Sequence, residues 1–138
     1  MKNSFKSKTL ATLLACVFGW LGAHRFYLAG ARDRWGWLHF ASLPATFFYS
    51  KLFFNLPLFI TASPLIISAL VAVLETFVLG LMPDDKWDQK YNSDVEQKND
   101  TQWPIALILV FNLAAGATGL IAVLARGFDL LYTGGAYG

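Results

Sequence analysis

The longest uncharged stretch of the chain runs from Pro104 to Ala125, and it limits the possible folds more than any other feature. Its 22 residues form about 33 Å of helix at a rise of 1.5 Å per residue, enough to cross the roughly 30 Å hydrocarbon core of a bilayer. We therefore predict a membrane-spanning helix that ends at Arg126. A small-residue patch within it, which includes Gly116 and Gly119, favours close helix packing.

The composition indicates a membrane environment for most of the chain. Of its 138 residues, 56% are hydrophobic and 14% are charged, whereas about 25% are charged in an ordinary soluble domain. The apolar residues form long runs and lack the alternation of a β-barrel strand. The sequence therefore predicts an all-α, polytopic membrane helical bundle of three to four membrane segments, a multi-pass protein of the cell inner membrane. The net charge of +2 is too small to predict a nucleic acid partner.

Three shorter apolar segments precede the long one, at about residues 9–28, 36–50 and 64–82. The second has 15 residues, fewer than the roughly 20 that a perpendicular span requires. It therefore either crosses with tilt or bilayer thinning, or lies in the interface, and Pro44 predicts a kink in it. Pro64 suits the first turn of the third segment.

A turn at the end of the first segment combines glycines, basic residues and aromatic residues. Gly19 and Gly22 favour close approach of a second backbone, and Gly30 ends or bends the helix. His24 and Arg25 suit two explanations, charge placed at the end of a span by topology alone, or a specific ion pair with an anionic lipid or a carboxylate. Aromatic residues beside them suit the membrane interface, namely Phe26 and Tyr27.

Glu75 lies about midway along the third segment. An ionisable group there costs several kcal/mol unless it is protonated, paired or exposed to water. We expect its partners to be His24, Arg25 and His39, and the alternative is a neutral carboxylic acid bonded to a neighbouring backbone. These residues and Cys16 do not have the spacing of metal ligands, and no catalytic arrangement is visible. The sequence therefore predicts no enzyme, no metal and no cofactor.

The stretch from Asp84 to Trp103 carries six of the nine acidic residues and must lie in water. Asp84 and Asp85 suit the amino terminus of a helix. Trp87 and Tyr91 are four residues apart, which predicts one apolar helix face lying against the membrane. The acidic cluster lacks the glycine and the terminal glutamate of a calcium loop. We therefore interpret it as a solvated polar loop, whose members include Asp84, Asp85, Asp88, Tyr91 and Asn92.

The residues from Lys8 to Gly30, with the core Gly-x-x-Gly-Ala-His-Arg-Phe-Tyr-Leu, resemble the two-transmembrane-helix domain family, often written TM-two. The segment from Pro64 to Asn92 is similar to the continuation seen in bacterial members. Departures from the family pattern are Ala29 in place of a glycine, a longer stretch from Lys51 to Ser63, and the additional span. The layout that the resemblance implies is a two-transmembrane-type domain at 1–92, a polar loop at 93–103, and an extra C-terminal transmembrane helix with a tail at 104–138.

The resemblance implies little about activity, because a fold does not carry a function with it. Short spans and the small-residue patch favour an accessory or interaction subunit of a larger membrane complex, with membrane lipids and other subunits or further copies as partners. The alternative is a small oligomeric transporter or channel with Glu75 lining the path. The orientation stays open, although a cytoplasmic amino terminus is preferred. If the amino terminus is cytoplasmic and the segment 36–50 crosses the membrane, the acidic loop is periplasmic and the tail is cytoplasmic. If that segment lies in the interface, the acidic loop is cytoplasmic and the tail is periplasmic.

Overall fold

A computed structural model describes residues 4–101 and 103–137. The described residues form helices and turns and contain no strand, so the all-α prediction is confirmed. The helices are α1 (Lys8–Phe18), α2 (Ala23–Ala29), α3 (Arg34–Leu52), α4 (Leu58–Thr61), α5 (Ser63–Leu81), α6 (Asp84–Tyr91) and α7 (Trp103–Thr133).

The chain reverses direction between α1 and α2. A 3-10 turn at Gly19–Leu21 follows α1, and Gly22 then adopts a left-handed conformation, with φ of 75°. The return is visible at Tyr27, whose hydroxyl accepts a hydrogen bond of 2.9 Å from the backbone N–H of Ser7. The prediction of one continuous segment over 9–28 is therefore wrong. Its two halves form a helical hairpin because left-handed backbone at Gly22 cannot continue an α-helix.

Helix α3 begins where the Asp33 carboxylate accepts the Trp35 backbone N–H at 3.2 Å. The helix continues through Pro44, so the predicted kink does not interrupt it. A turn and the short α4 then lead to α5, which carries Pro64 in its first turn, as predicted. The two helices are antiparallel, because Ser50 near the end of α3 donates to Thr61 just before α5 at 3.2 Å.

Helix α5 is the centre of the bundle, with α1, α3 and α7 packed around it. Helix α7 runs antiparallel to α5 and fits against it through small residues. A Cβ atom on Gly116 would lie 2.5 Å from Val73, and one on Gly80 would lie 2.6 Å from Leu109. The buried Asn112 amide donates to the Val73 carbonyl at 3.0 Å. Close packing and one interhelical hydrogen bond therefore hold α7 against α5.

Helix α7 does not end at Arg126, contrary to the prediction, and continues to Thr133. Arg126 pairs with Asp129 one turn later, and an arginine has a high helix propensity. The charge therefore marks the end of the apolar stretch and not the end of the helix.

Within residues 4–101 and 103–137, two helices are long and apolar enough to cross a membrane, α5 and α7. The helix and turn at Lys8–Leu21 are apolar but shorter. Large apolar side chains are widely exposed, for example Phe48 on α3 and Val110 on α7. A continuous apolar exterior is typical of a protein surrounded by lipid. The chain is a membrane protein with two candidate spans among the described residues, and the count of three to four membrane segments stays a prediction.

Trp87 of α6 does not lie against the membrane as predicted. Its side chain is completely buried, in a small core with Ala11, Ala15 and Leu79. Its ring packs on Tyr91 with 4.6 Å between the centroids. Helix α6 therefore closes one end of the bundle, where α1 begins and α5 ends.

Substitution at Gly22 tests the reversal. A Cβ atom on Gly22 would lie 2.6 Å from the carbonyl oxygen of Gly36 at the start of α3. We expect Gly22→Ala to lower the free energy of unfolding by roughly 3 kcal/mol, because left-handed strain and displacement of the α3 backbone add together. Thermal unfolding in detergent measures this loss.

Gly134→Ala is the matched control, because Gly134 also has a positive φ, of 69°, but faces open space. Gly134→Ala should lower the free energy of unfolding by about 1 kcal/mol, from backbone strain alone. Equal losses for the two variants would contradict close packing at Gly22.

Candidate functional site

Five ionisable side chains meet where α2, α3 and α5 come together, and we call them the ion cluster. They are His24, Arg25, Asp33, His39 and Glu75. Arg25 donates from Nε to Glu75 Oε1 at 2.7 Å, and its Nη2 contacts the same oxygen. The other carboxylate oxygen, Oε2, lies 2.8 Å from Nε2 of His24 and 3.1 Å from Nε2 of His39. All three predicted partners of Glu75 are therefore in place.

The left-handed turn positions the basic members of the ion cluster. After Gly22 reverses the chain, the first turn of α2 directs His24 and Arg25 toward α5. Asp33 joins from the loop before α3, with its Oδ2 3.6 Å from Nη1 of Arg25. The guanidinium of Arg25 thus lies between two carboxylates. An isolated Glu75 charge in an apolar helix would be very costly, and this arrangement neutralises it.

Hydrogen bonds extend from the ion cluster to the 3-10 turn. Nδ1 of His39 lies 2.7 Å from the Ser68 hydroxyl, which donates to the Trp20 carbonyl at 2.8 Å. These contacts join α3, α5 and the turn through buried polar atoms. Nδ1 of His24 is buried and has no hydrogen-bond partner within 4–101 and 103–137.

A pocket of about 420 Å³ lies between α2 and α5, beside the ion cluster. Its charged lining consists of Arg25, Asp33 and Glu75 from the ion cluster and Lys90 from α6, where Tyr91 also lines it. His24 also lines the pocket, and the rest of the wall is apolar, formed by Leu28, Ala29, Val78, Leu79 and Met82. The pocket therefore offers charged groups of both signs beside an apolar surface.

A second polar group fixes the amino-terminal segment to the polar loop, and we call it the polar clasp. It consists of residues 6–8 with Asp84, Trp87, Asp88, Asn92, Asn99 and Thr101. The Lys6 carbonyl accepts from the Trp87 indole at 2.9 Å, from the Asn92 amide at 3.1 Å and from the Asn99 amide at 3.2 Å. The Lys8 ammonium donates to Asp84 and to Thr101, each at 2.9 Å. The start of the chain and the loop after α6 therefore lie at the same end of the bundle.

Two carboxylates hold the polar clasp together. Burial alone would raise the pKa of Asp88, but hydrogen bonds from Asn92 and Asn99 outweigh burial and hold this pKa below its ordinary value. The pKa of Asp84 is likewise lowered, because hydrogen bonds from Thr101 and Lys8 outweigh its burial. At a pH above the ordinary pKa of an aspartate, the two ionised carboxylates therefore stabilise the clasp. That stabilisation is lost as the pH falls through their lowered pKa values in the folded protein.

The remaining predicted site residues serve different elements. Gly19 packs closely on Ala72 of α5, whereas Gly22 packs on α3, so the two glycines do not share one packing partner. Gly30 ends α2 with φ of 77°. The Phe26 ring packs on Trp37, with 5.4 Å between the centroids. Asp85 is exposed in the first turn of α6, as predicted.

Several contributors had not been identified from the sequence, namely Asp33, Ser68, Asn99 and Asn112. Ser68, Asn99 and Asn112 have partners far away in the chain, and a single sequence gives no signal of such pairing. Asp33 has a near partner, Arg25, but the two are brought together only by the bend between α2 and α3. Within the described ranges, no group of three or more His, Cys, Asp or Glu side chains is arranged to hold a metal.

Removal of the arginine tests the energetic role of the ion cluster. We expect Arg25→Ala to lower the free energy of unfolding by about 3 kcal/mol, because it leaves the partly buried Glu75 carboxylate without its cation. Arg126→Ala removes the arginine of a pair formed within one turn of α7. The Asp129 carboxylate keeps the Thr133 hydroxyl and the Tyr137 backbone N–H as donors, so this change should cost about 1 kcal/mol or less. Thermal unfolding in detergent compares the two.

A double-mutant cycle separates pairing from packing. If the pair accounts for the loss, Arg25→Ala combined with Glu75→Gln costs less than the sum of the single changes. Strict additivity would contradict direct pairing between Arg25 and Glu75.

Comparison with protein families places a known domain at the start of the chain. Residues 4–60 match the family model described as the TM2 domain. This match confirms the TM-two resemblance for the part of the chain that contains α1, α2, α3 and most of α4. Glu75 and the predicted continuation from Pro64 to Asn92 lie outside the matched residues. Searches of curated proteins and of solved structures found no match.

Proposed function

We propose that this chain, with its TM2 domain match at residues 4–60, is a multi-pass protein of the cell inner membrane with four membrane segments. In this topology α3, α5 and α7 cross the bilayer, and the α1–α2 hairpin enters and leaves on one side. The hairpin assignment is supported by the contacts of Tyr27 with Ser7 and Lys6, which bring the end of α2 back to the start of α1. The proposal that α3 crosses is supported by two contacts that lie far apart along it. His39 contacts Glu75 of α5, and Ser50 near the end of α3 contacts Thr61 just before α5.

The distribution of basic residues supports a cytoplasmic location for the end of the bundle that contains the polar clasp. Positive charge in short loops is retained on the cytoplasmic side. Among the described residues, only Lys51 and Arg126 lie toward the opposite end. The other described basic residues are Lys6, Lys8, Arg25, Arg32, Arg34, Lys86, Lys90 and Lys98. We therefore propose a cytoplasmic amino terminus, a cytoplasmic acidic loop and a carboxyl-terminal tail on the other side.

Within this topology, we propose a non-catalytic role as an accessory or interaction subunit of a larger membrane complex. The observation that carries the proposal is the free face of α7. Gly116 is occupied by α5, whereas a Cβ atom on Gly119 would meet nothing within 4 Å. Ala115, four residues before Gly119 and therefore on the same helix face, is exposed. A small-residue surface of this kind suits direct contact with another transmembrane helix.

The ion cluster contributes nothing to the case for a partner. Glu75 contacts Arg25, His24 and His39 of its own chain, so it needs no outside cation. The same three contacts count against the alternative, a small oligomeric transporter or channel, because they already occupy Glu75. That alternative is favoured by the position of Glu75 in the wall of a pocket, but transport through Glu75 would require these three contacts to exchange for contacts with a substrate.

Substitution at Gly119 tests the subunit proposal. The protein is purified in mild detergent from its own host, and the stoichiometry of its companions is measured by native mass spectrometry. We expect a partner subunit at a fixed ratio, and we expect Gly119→Leu to abolish its retention, because a bulky side chain prevents close helix contact. Thermal unfolding should be unchanged or slightly improved, since leucine favours helix more than glycine does.

Two glycines of α7 provide controls for this experiment. Gly127 also faces open space but lies outside the small-residue patch, so Gly127→Leu should retain the partner. Gly116→Leu should destabilise the chain itself by displacing Val73. Recovery of a defined homo-oligomer without other subunits, together with ion flux in liposomes that Glu75→Gln abolishes, would favour the transporter instead.

A further inference from the structure

The pocket between α2 and α5 has the chemistry of a lipid headgroup site. We propose that it binds a phospholipid that carries both a phosphodiester and a primary ammonium, of the phosphatidylethanolamine class, from the leaflet on the side of the polar clasp. The proposal rests on the membrane placement given above but requires no partner protein. It is therefore testable on the purified chain, whatever the outcome for the subunit proposal.

The position of the pocket fits the headgroup region of a bilayer. It is lined by Lys90 and Tyr91 of α6, the helix that contributes to the polar clasp, and by Glu75 of α5. Glu75 is six residues before Leu81, the last residue of α5, which corresponds to about 9 Å of helix. That depth is comparable to the thickness of the interfacial zone between headgroups and acyl chains.

The pocket is also open toward lipid on one side. Val78 in its wall is 62% exposed, and Leu28 and Met82 continue the apolar surface. Acyl chains leaving a bound headgroup would pass over this surface. The volume of about 420 Å³ lies within the range of roughly 300–1,000 Å³ for small-molecule pockets.

Two cations in the pocket have donors to offer a phosphate. The Lys90 ammonium lies 5.1 Å from the centre of the Tyr91 ring, and within the described part of the chain it forms no ion pair. Arg25 uses Nε and Nη2 on Glu75. Among the residues that the structure describes, its Nη1 has only the 3.6 Å contact with Asp33, which is beyond hydrogen-bond range. Basic groups between helices on the cytoplasmic side suit phospholipid headgroups.

A carboxylate beside these cations selects a zwitterionic headgroup over an anionic one. Oδ1 of Asp33 caps α3 through the Trp35 N–H, while Oδ2 has only the 3.6 Å contact with Arg25 and remains able to accept from an ammonium. The Asp33 carboxylate would repel a headgroup of net negative charge, whereas the charge of Glu75 is already neutralised by its own contacts. A choline headgroup has no N–H to donate. A headgroup that carries a primary ammonium next to a phosphate can pair with Asp33 through the ammonium and with Arg25 and Lys90 through the phosphate.

Native mass spectrometry with defined lipids tests the site. The full chain, stripped of lipid in detergent, is mixed with equal amounts of phosphatidylethanolamine, phosphatidylglycerol and phosphatidylcholine of the same acyl chains. We expect retention of phosphatidylethanolamine to exceed that of either competitor. We expect Lys90→Ala to lower it roughly tenfold, the size expected for one charge-assisted hydrogen bond. Lys86→Ala is the control, because Lys86 is exposed on the same helix and does not line the pocket.

Asp33→Asn separates the ammonium contact from the phosphate contact. Asparagine caps a helix as well as aspartate does, so the start of α3 should be preserved while the negative charge is lost. The preference for phosphatidylethanolamine over phosphatidylglycerol should then fall to about one, with total lipid retention unchanged. Equal binding of all three lipids by the unmodified chain would overturn the proposal. So would an equal effect of Lys90→Ala and Lys86→Ala.

Discussion

Glu75 lies in a helix whose neighbouring residues are almost all apolar, and the arrangement of the other helices follows from the need to satisfy its charge. One carboxylate oxygen faces Arg25, and the other faces two imidazoles. These groups come from α2 and α3, so both helices must reach α5 at the same level. The reversal at Gly22 makes this possible, because it brings Arg25 back along α5 after α1 has passed it. Packing at Gly19 and Gly22 then keeps the backbones close enough for the contacts to form.

The same reversal decides where the ends of the chain lie. Because α2 returns toward the start of α1, the amino-terminal segment lies beside α6, and Lys6 and Lys8 form the polar clasp with the loop that follows α6. A spanning α1 would instead have placed the α1–α2 turn and the amino terminus at opposite ends of the bundle. One sequence-based alternative has 36–50 crossing the membrane, with a cytoplasmic amino terminus and a periplasmic acidic loop. The hydrogen bonds of the polar clasp are incompatible with it, because they join the amino-terminal segment to that loop.

The predictable and the unpredictable parts of this structure differ in physical origin. Hydropathy and proline position were sufficient to identify α5 and the core of α7, and the high cost of a buried carboxylate was sufficient to identify the partners of Glu75. A turn was predicted in the stretch that contains Gly19, Gly22 and Gly30, but the reversal was not placed at Gly22. Glycine suits both close helix packing and left-handed backbone, and the residues around it favour helix in either case. Trp87 and Asn92 were placed in a solvated element because their burial depends on contacts with Lys6, more than 80 residues away in the chain.

The central claim is that the α1–α2 hairpin enters and leaves the membrane on one side, and site-directed labelling tests it most directly. Single cysteines replace Ser4, Ser93 and Ala136, all exposed, in a Cys16→Ser background. A membrane-impermeant maleimide is then applied to intact and to lysed spheroplasts. We expect the cysteine at position 136 to react in intact spheroplasts and those at positions 4 and 93 to react only after lysis. Labelling of positions 4 and 93 from opposite sides of the membrane would contradict the re-entrant hairpin.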